Sequence, residues 1–117
     1  MISPVIVWQN MMNLVNRFTY REEWSGEDRV YIARCLEFPS LAAHGDTPEA
    51  ALAEIKKVVA AVLKDMSRNG EPIPEPLGAR KYRGRIALRV PSDVHKRLVI
   101  EAAEQGVSVN QLLLSKI

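Results

Sequence analysis

Apolar and polar residues alternate along two neighbouring stretches in the first third of the chain. The apolar side of this alternation consists of Phe18, Tyr20, Trp24, Val30 and Ile32. Period-two alternation rich in aromatic and β-branched residues is typical of half-buried strands, and the sequence SGED between the two stretches is typical of a turn. The pattern predicts a β-hairpin with its turn at residues 25–28, followed by a third short strand over residues 40–43.

The alternation is replaced by helical spacing after residue 46. Thr47 is a favoured helix N-cap residue, and Pro48 follows at the first helical position, where proline is well tolerated. Asn69 and Gly70 end the pattern. The apolar residues at helical spacing are Leu52, Ile55, Val59, Val62 and Met66. We expect this helix to pack its apolar face on the sheet.

A second, much shorter alternation runs from Arg85 to Val90. Ile86, Leu88 and Val90 lie on one side of the predicted strand, and the other side carries Arg85, Ala87 and Arg89. Pro91 ends the strand because it cannot donate a ladder hydrogen bond. One side is therefore suited to a core, and the other is basic.

Two helices are predicted after this strand. Ser92 or Asp93 caps the first, and Gly106 terminates it. Ser108 opens the second, with Gln111 at the spacing of a capping box. The residues expected to face inward are Val94, Leu98, Ile100 and Ala102 in the first helix, and Leu112, Leu113 and Ile117 in the second.

A strand and two helices in about thirty residues cannot bury a core alone, and a single strand leaves its hydrogen-bonding edges bare. Both problems disappear if two chains pair their strands antiparallel. The paired ribbon would enter the DNA major groove, with Arg85, Ala87 and Arg89 reading base edges. The residues expected to hold phosphates are Arg83, Ser108, Val109 and Asn110. The alternative is a dimerisation tail whose arginines are incidental.

Charge is divided unequally along the chain. Residues 79–117 hold eight basic and three acidic residues, a net charge of +5, whereas residues 1–78 carry a net charge of −3. Such asymmetry indicates that the basic part binds a polyanion, unless the uneven surface is simply solvated. Between the two parts, the sequence GEPIPEPLG at residues 70–78 predicts a linker or an edge segment.

The remaining composition limits the classes of protein. The chain has a single cysteine, Cys35, so it cannot form an intramolecular disulfide. Its cysteine and histidine residues also lack the spacing of a zinc site. Both observations favour a protein of the reducing cytoplasm. His44 has no recognisable nucleophile beside it, and the acidic residues mostly fall in a turn or a helix start, so we expect no catalytic residue, metal or cofactor. Residues 1–16 remain unassigned; a targeting segment, an interaction strand and an extension from an upstream start codon are all open.

Several motifs together resemble those of one protein family. The sequences RIALRVPSDVHKRL and EAAEQGVSVNQLL look like a ribbon-helix-helix DNA-binding domain. With YREEWSGED, CLEFPSL, GDTPEAAL and GEPIPEP in this order, residues 17–117 resemble the HicB family of antitoxins. The chain departs from the family where Ala42-Ala43-His44-Gly45 replaces a Ser-Trp-Leu-Ala sequence, and in the shortness of its second tail helix.

The resemblance implies an α+β protein, in which a small β-β-β-α domain with a partial RNase H-like fold precedes a dimeric ribbon-helix-helix domain. The divisions expected are an extension over 1–16, a toxin-binding domain over 17–70, a proline-rich linker over 71–82 and a DNA-binding domain over 83–117. The family's partner is HicA, a small toxin that cleaves mRNA. The implied function is a non-enzymatic, cytoplasmic antitoxin that binds this toxin and represses its own operon at operator DNA. It would be a homodimer without a membrane partner, and a higher oligomer remains open.

Two other functions remain open at this point. The chain could be a stand-alone ribbon-helix-helix regulator whose N-terminal domain senses a ligand or assembles the oligomer. It could also be a metal-dependent nuclease that uses the N-terminal carboxylates. Co-purification with a small basic protein encoded beside the gene would separate the antitoxin from the regulator, and magnesium-dependent cleavage by the purified chain would indicate the nuclease.

Overall fold

The computed structural model describes residues 4–117, and their side chains from residue 9 onward. It has an α+β architecture, as predicted. The elements in chain order are α1 (Pro4–Arg17), β1 (Tyr20–Ser25), β2 (Val30–Cys35), β3 (Phe38–Gly45), α2 (Pro48–Arg68), a short 3₁₀ turn (Leu77–Ala79), α3 (Ser92–Gln105) and α4 (Val109–Ser115).

The three strands form one antiparallel sheet in the order β1-β2-β3. The predicted hairpin is present, with its turn at residues 26–29 and not 25–28 because Ser25 still belongs to β1; the amide of Arg29 donates to the carbonyl of Ser25 at 2.8 Å. Arg29 has a φ of 56°, which places it in the left-handed region. The third strand is longer than the predicted residues 40–43, because it begins at Phe38 and continues to Gly45 with a register irregularity opposite Arg34 and Cys35.

Helix α2 covers one face of the sheet and forms most of the core. It begins as predicted, with Pro48 in the first turn and the Thr47 hydroxyl accepting from the amide of Ala50 at 3.0 Å. Its buried residues lie at helical spacing: Ala51, Ile55, Val59, Ala60 and Leu63. They pack against Ala33 and Cys35 of the central strand, so the sheet and this helix together make a two-layer structure.

Helix α1 contributes to this core and contacts α2. Val15 near its end is fully buried, and the hydroxyl of Tyr20 donates to the carbonyl of Val15 at 2.7 Å. One interpretation of residues 1–16 is an interaction strand. It is wrong for the residues from Pro4 onward, because they form a helix. Residues 1–3 lie outside the described part. In that part, none of the helices is both long enough and apolar enough to cross a membrane.

Gly45 is required where β3 meets α2. A Cβ atom at this position would lie 2.5 Å from the amide nitrogen of Ala51 and 2.8 Å from the carbonyl carbon of Ala50. Any side chain would therefore push the first turn of α2 away from the sheet.

The chain divides into two compact units, one ending at Lys81 and the other spanning Tyr82–Ile117. In the second unit, Gly106 ends α3 with a φ of 69°, as its position predicts. The cap predicted at Ser92 or Asp93 is wrong, because α3 already begins at Ser92, with Pro91 at the N-cap position and no side-chain cap bond. The capping box predicted at Ser108 and Gln111 is present.

Candidate nucleic-acid interface

The strand predicted over residues 85–90 is absent from the single chain. These residues have no regular secondary structure, and Gly84 before them has a φ of 71°. Ile86 and Leu88, expected on a buried side, are 88% and 70% exposed. The physical reason is that a strand needs a neighbour to hydrogen-bond with, and these residues have none in one chain.

The candidate base-reading residues all lie on the surface. Arg85, Ala87 and Arg89 are exposed and alternate with Ile86 and Leu88. Within residues 82–117 the ion pair present joins Lys116 Nζ to Glu101 Oε1 at 3.3 Å. The guanidinium groups in this segment therefore have no carboxylate partner in their own unit, and their charges face solvent.

The second unit buries little of its apolar surface. Ala102 of α3 and Leu112 of α4 are its buried apolar residues. Of the residues expected to face inward, Val94, Leu98 and Leu113 are half-buried, whereas Ile100 is exposed and Ile117 is 98% exposed. A module with this much exposed apolar surface is typical of a chain that associates with a partner.

The candidate phosphate-contacting residues lie in two places. Arg83 is exposed before Gly84, while Ser108, Val109 and Asn110 form the start of α4. The Ser108 hydroxyl accepts from the amide of Gln111 at 3.0 Å, and the Gln111 side chain accepts from the amide of Ser108 at 2.9 Å. The capping box thus uses the hydroxyl oxygen as an acceptor and leaves the hydroxyl proton as a donor.

In the first unit, Glu37 lies in the two-residue turn between β2 and β3 and accepts several hydrogen bonds. Its carboxylate accepts from the amide of Thr19 at 2.9 Å, from the Thr19 hydroxyl at 3.2 Å and from the amide of Leu77 at 2.9 Å. Burial opposes the charge, but the amides of Leu77 and Thr19 outweigh it and hold the pKa of Glu37 below its usual value.

Glu37 was missed by sequence reasoning, which grouped it with acidic residues of turns and helix starts. Its position inside the CLEFPSL motif, between two predicted strands, was the available signal. Beside it, Cys35 is fully buried, and burial raises the pKa of its thiol. Cys35 is thus a small residue of the buried core.

The described part of the first unit has recesses on its surface. An open recess of about 330 Å³ is bordered by Asp28, Val30 and His44. A larger groove of about 560 Å³ lies along α1 and α2; the residues lining it are Met12, Ala53, Lys56, Lys57, Ala60, Ala61 and Lys64. Among the residues described, no three histidine, cysteine or acidic side chains come together as metal ligands would.

Comparison with protein families gives a match that lies mainly on the second unit. The model of the HicB family matches residues 68–117, which include the end of α2, the proline-rich segment and the whole second unit. No curated protein matches the chain, and no solved structure matches it. The match covers the candidate interface built above from Arg83 to Asn110.

Proposed function

The chain belongs to the HicB family, and on that premise we propose that it is the antitoxin of a type II toxin–antitoxin system. HicB-family proteins are generally paired with a HicA toxin, so the proposed partner is a HicA-like protein that cleaves mRNA. The antitoxin would neutralise this toxin by direct binding and repress its own operon in the cytoplasm. It would have no catalytic activity, because covering the toxin's RNA-binding surface or active site needs no chemistry.

The first unit is the proposed toxin-binding part, with a partial RNase H-like fold. Its three-stranded sheet, with α2 packed on one face, supports this assignment at the level of element order. The acidic balance of residues 1–78 suits a partner that is basic enough to bind RNA. The proposal here rests on charge complementarity and on the family.

The second unit is the proposed ribbon-helix-helix dimer, and one observation carries this proposal. Ile86 and Leu88 are largely exposed in the single chain, although they alternate with Arg85, Ala87 and Arg89 as the inner side of a strand would. A second copy of the same segment would supply the missing hydrogen bonds and cover both side chains. The exposed apolar residues of α3 and α4 would then complete the shared core.

Dimerisation would set the candidate DNA-binding residues in a regular array. Arg85, Ala87 and Arg89 from both copies would share the polar face of the ribbon, where arginines can pair with guanine in the major groove. Arg83 and the start of α4 at residues 108–110 would contact phosphates on either side. Base contacts would then provide specificity, and phosphate contacts would fix the register.

A co-expression experiment tests the antitoxin proposal. The neighbouring genes are searched for one that encodes a small basic protein; this protein is produced alone and together with the full chain, and growth and mRNA integrity are measured. We expect growth arrest with mRNA cleavage for that protein alone, and rescue with a stable complex when the chain is present. Growth arrest that this chain does not relieve would overturn the proposal and favour the stand-alone regulator.

A further inference from the structure

One carboxylate joins three distant parts of the first unit. Glu37 lies in the turn between β2 and β3, Thr19 directly precedes β1, and Leu77 follows 40 residues after Glu37. Both oxygens are used: Oε1 accepts from the amide of Thr19, and Oε2 accepts from the amide of Leu77 at 2.9 Å and from the Thr19 hydroxyl at 3.2 Å. Hydrogen bonds to a charged acceptor are among the strongest in proteins.

The segment that reaches Glu37 is the proline-rich one. Prolines at positions 72, 74 and 76 have no amide proton, so Leu77 provides the first backbone donor after them. Pro76 is buried, and the chain then closes a short turn in which the amide of Ala79 donates to the Pro76 carbonyl at 3.0 Å. Arg80 Nε also donates back to the carbonyl of Glu75 at 3.0 Å. The segment is therefore ordered around the point where Glu37 binds it.

We propose that Glu37 is a clamp that fixes residues 75–79 to the sheet, so that the proline-rich segment is an extension of the first unit and not a free linker. The positioning role belongs to the carboxylate, because two donors, the Leu77 amide and the Thr19 hydroxyl, converge on one of its oxygens. This clamp physically connects the CLEFPSL and GEPIPEP motifs, which are far apart in the sequence.

The consequence is a shorter free connection between the units. With the clamp closed, residues 75–79 no longer count toward the flexible connection that ends at Arg83. A proline-rich chain spans about 3.1 Å per residue, so fixing these five residues removes about 15 Å of its reach. If the proposed function is correct, Glu37 thereby shortens the connection that leads to the DNA-binding unit; the clamp itself does not depend on that function.

Two variants of the full chain test the clamp by ¹⁵N relaxation of backbone amides. Glu37→Gln replaces one acceptor oxygen by an NH₂ group, which cannot accept from the donors on that side. Leu77→Pro removes the amide donor and replaces the half-buried leucine by another apolar side chain, and the extended backbone of Pro76, with φ −53° and ψ 138°, is compatible with a following proline. Glu71→Gln is the matched control, because Glu71 is exposed in the same segment and its carboxylate makes no hydrogen bond within the described residues.

We expect the amides of Gly78 and Ala79 to be as rigid as the sheet in the parent and in Glu71→Gln. Their order parameters should fall from about 0.85 to below about 0.6 in both clamp variants, while Ala33 and Cys35 in the central strand stay rigid. Mobile Gly78 and Ala79 amides in the parent would overturn the proposal. If Glu37→Gln also makes the sheet mobile, the result for Leu77→Pro tests the proposal instead. Amides of Gly78 and Ala79 that stay rigid in Leu77→Pro would show that the segment is anchored by something other than Glu37.

Discussion

At the scale of single residues, Glu37 and Cys35 show how neighbouring side chains acquire opposite properties. Both belong to the CLEFPSL motif and lie within 3.6 Å of each other, measured from Cys35 Sγ to Glu37 Oε1. Burial raises the pKa of Cys35. At Glu37 the backbone amides overcome burial and lower the pKa. The donors around Glu37 therefore favour its charged carboxylate, whereas burial favours the neutral thiol of Cys35.

The lowered pKa of Glu37 predicts a pH-dependent contribution to stability. Because the folded pKa lies below its usual value of 4.5, the stabilisation is fully present above that value and is lost as the pH falls through the folded pKa. Glu37→Gln should lower the free energy of unfolding by about 1–2 kcal/mol at neutral pH. The parent and the variant should converge in acid, where Glu37 is protonated and resembles glutamine.

Urea unfolding of both proteins across this pH range provides the measurement. The other groups that face Glu37 are Tyr20, whose pKa is raised first by burial, and Cys35. Both are uncharged throughout neutral and acid pH, so the change is attributable to Glu37. A gap between parent and variant that stays constant into acid would contradict this explanation.

At the scale of elements, the junction between β3 and α2 offers the clearest stability prediction. Gly45→Ala would place a methyl group within 2.5 Å of the Ala51 amide nitrogen, so we expect a loss of about 1–3 kcal/mol in the free energy of unfolding. Gly78→Ala is the control, because a Cβ atom there meets nothing within 4 Å. Thermal and urea unfolding of the two variants should therefore differ, and equal stability would show that α2 can shift without cost.

Features that depend on neighbouring residues could be predicted from the sequence, and features that depend on distant residues could not. The hairpin, the Thr47 cap, the Gly106 terminus and the Ser108 capping box follow from neighbouring residues, and the structure confirms each. Helix α1 was not predicted, because its signal is packing against α2, which no local pattern reveals. The same holds for Glu37, whose partners lie 18 and 40 residues away.

The strand over residues 85–90 is a different case. Its period-two pattern is clear in the sequence, yet the residues are irregular in the single chain. The pattern is that of a strand paired with another strand, and we propose that the partner strand comes from a second copy of the chain. Prediction of this element therefore depends on assembly as well as on sequence.

At the scale of the whole molecule, we expect the proposed dimer to depend on one exposed isoleucine, Ile86. Ile86→Asp would place a charge in the proposed core between two chains, so we expect sedimentation velocity to show a dimeric parent and a monomeric variant. Ile73→Asp is the matched control, because Ile73 is 41% exposed and belongs to the first unit. A dimer that persists in Ile86→Asp would place the contact outside residues 85–90.

The central claim is that the ribbon formed by residues 85–90 reads DNA. The most direct measurement is a titration of the duplex upstream of the chain's own gene, and of a random duplex of equal length, with the parent and with Arg85→Ala/Arg89→Ala. The control is Arg21→Ala/Arg68→Ala, which removes the same charge from exposed positions of the first unit. Each arginine paired with guanine contributes about 1–3 kcal/mol of discrimination and occurs twice in a dimer, so specific affinity should fall at least about tenfold in the first variant alone. Binding of the upstream duplex by Arg85→Ala/Arg89→Ala with the parent's affinity would contradict the account.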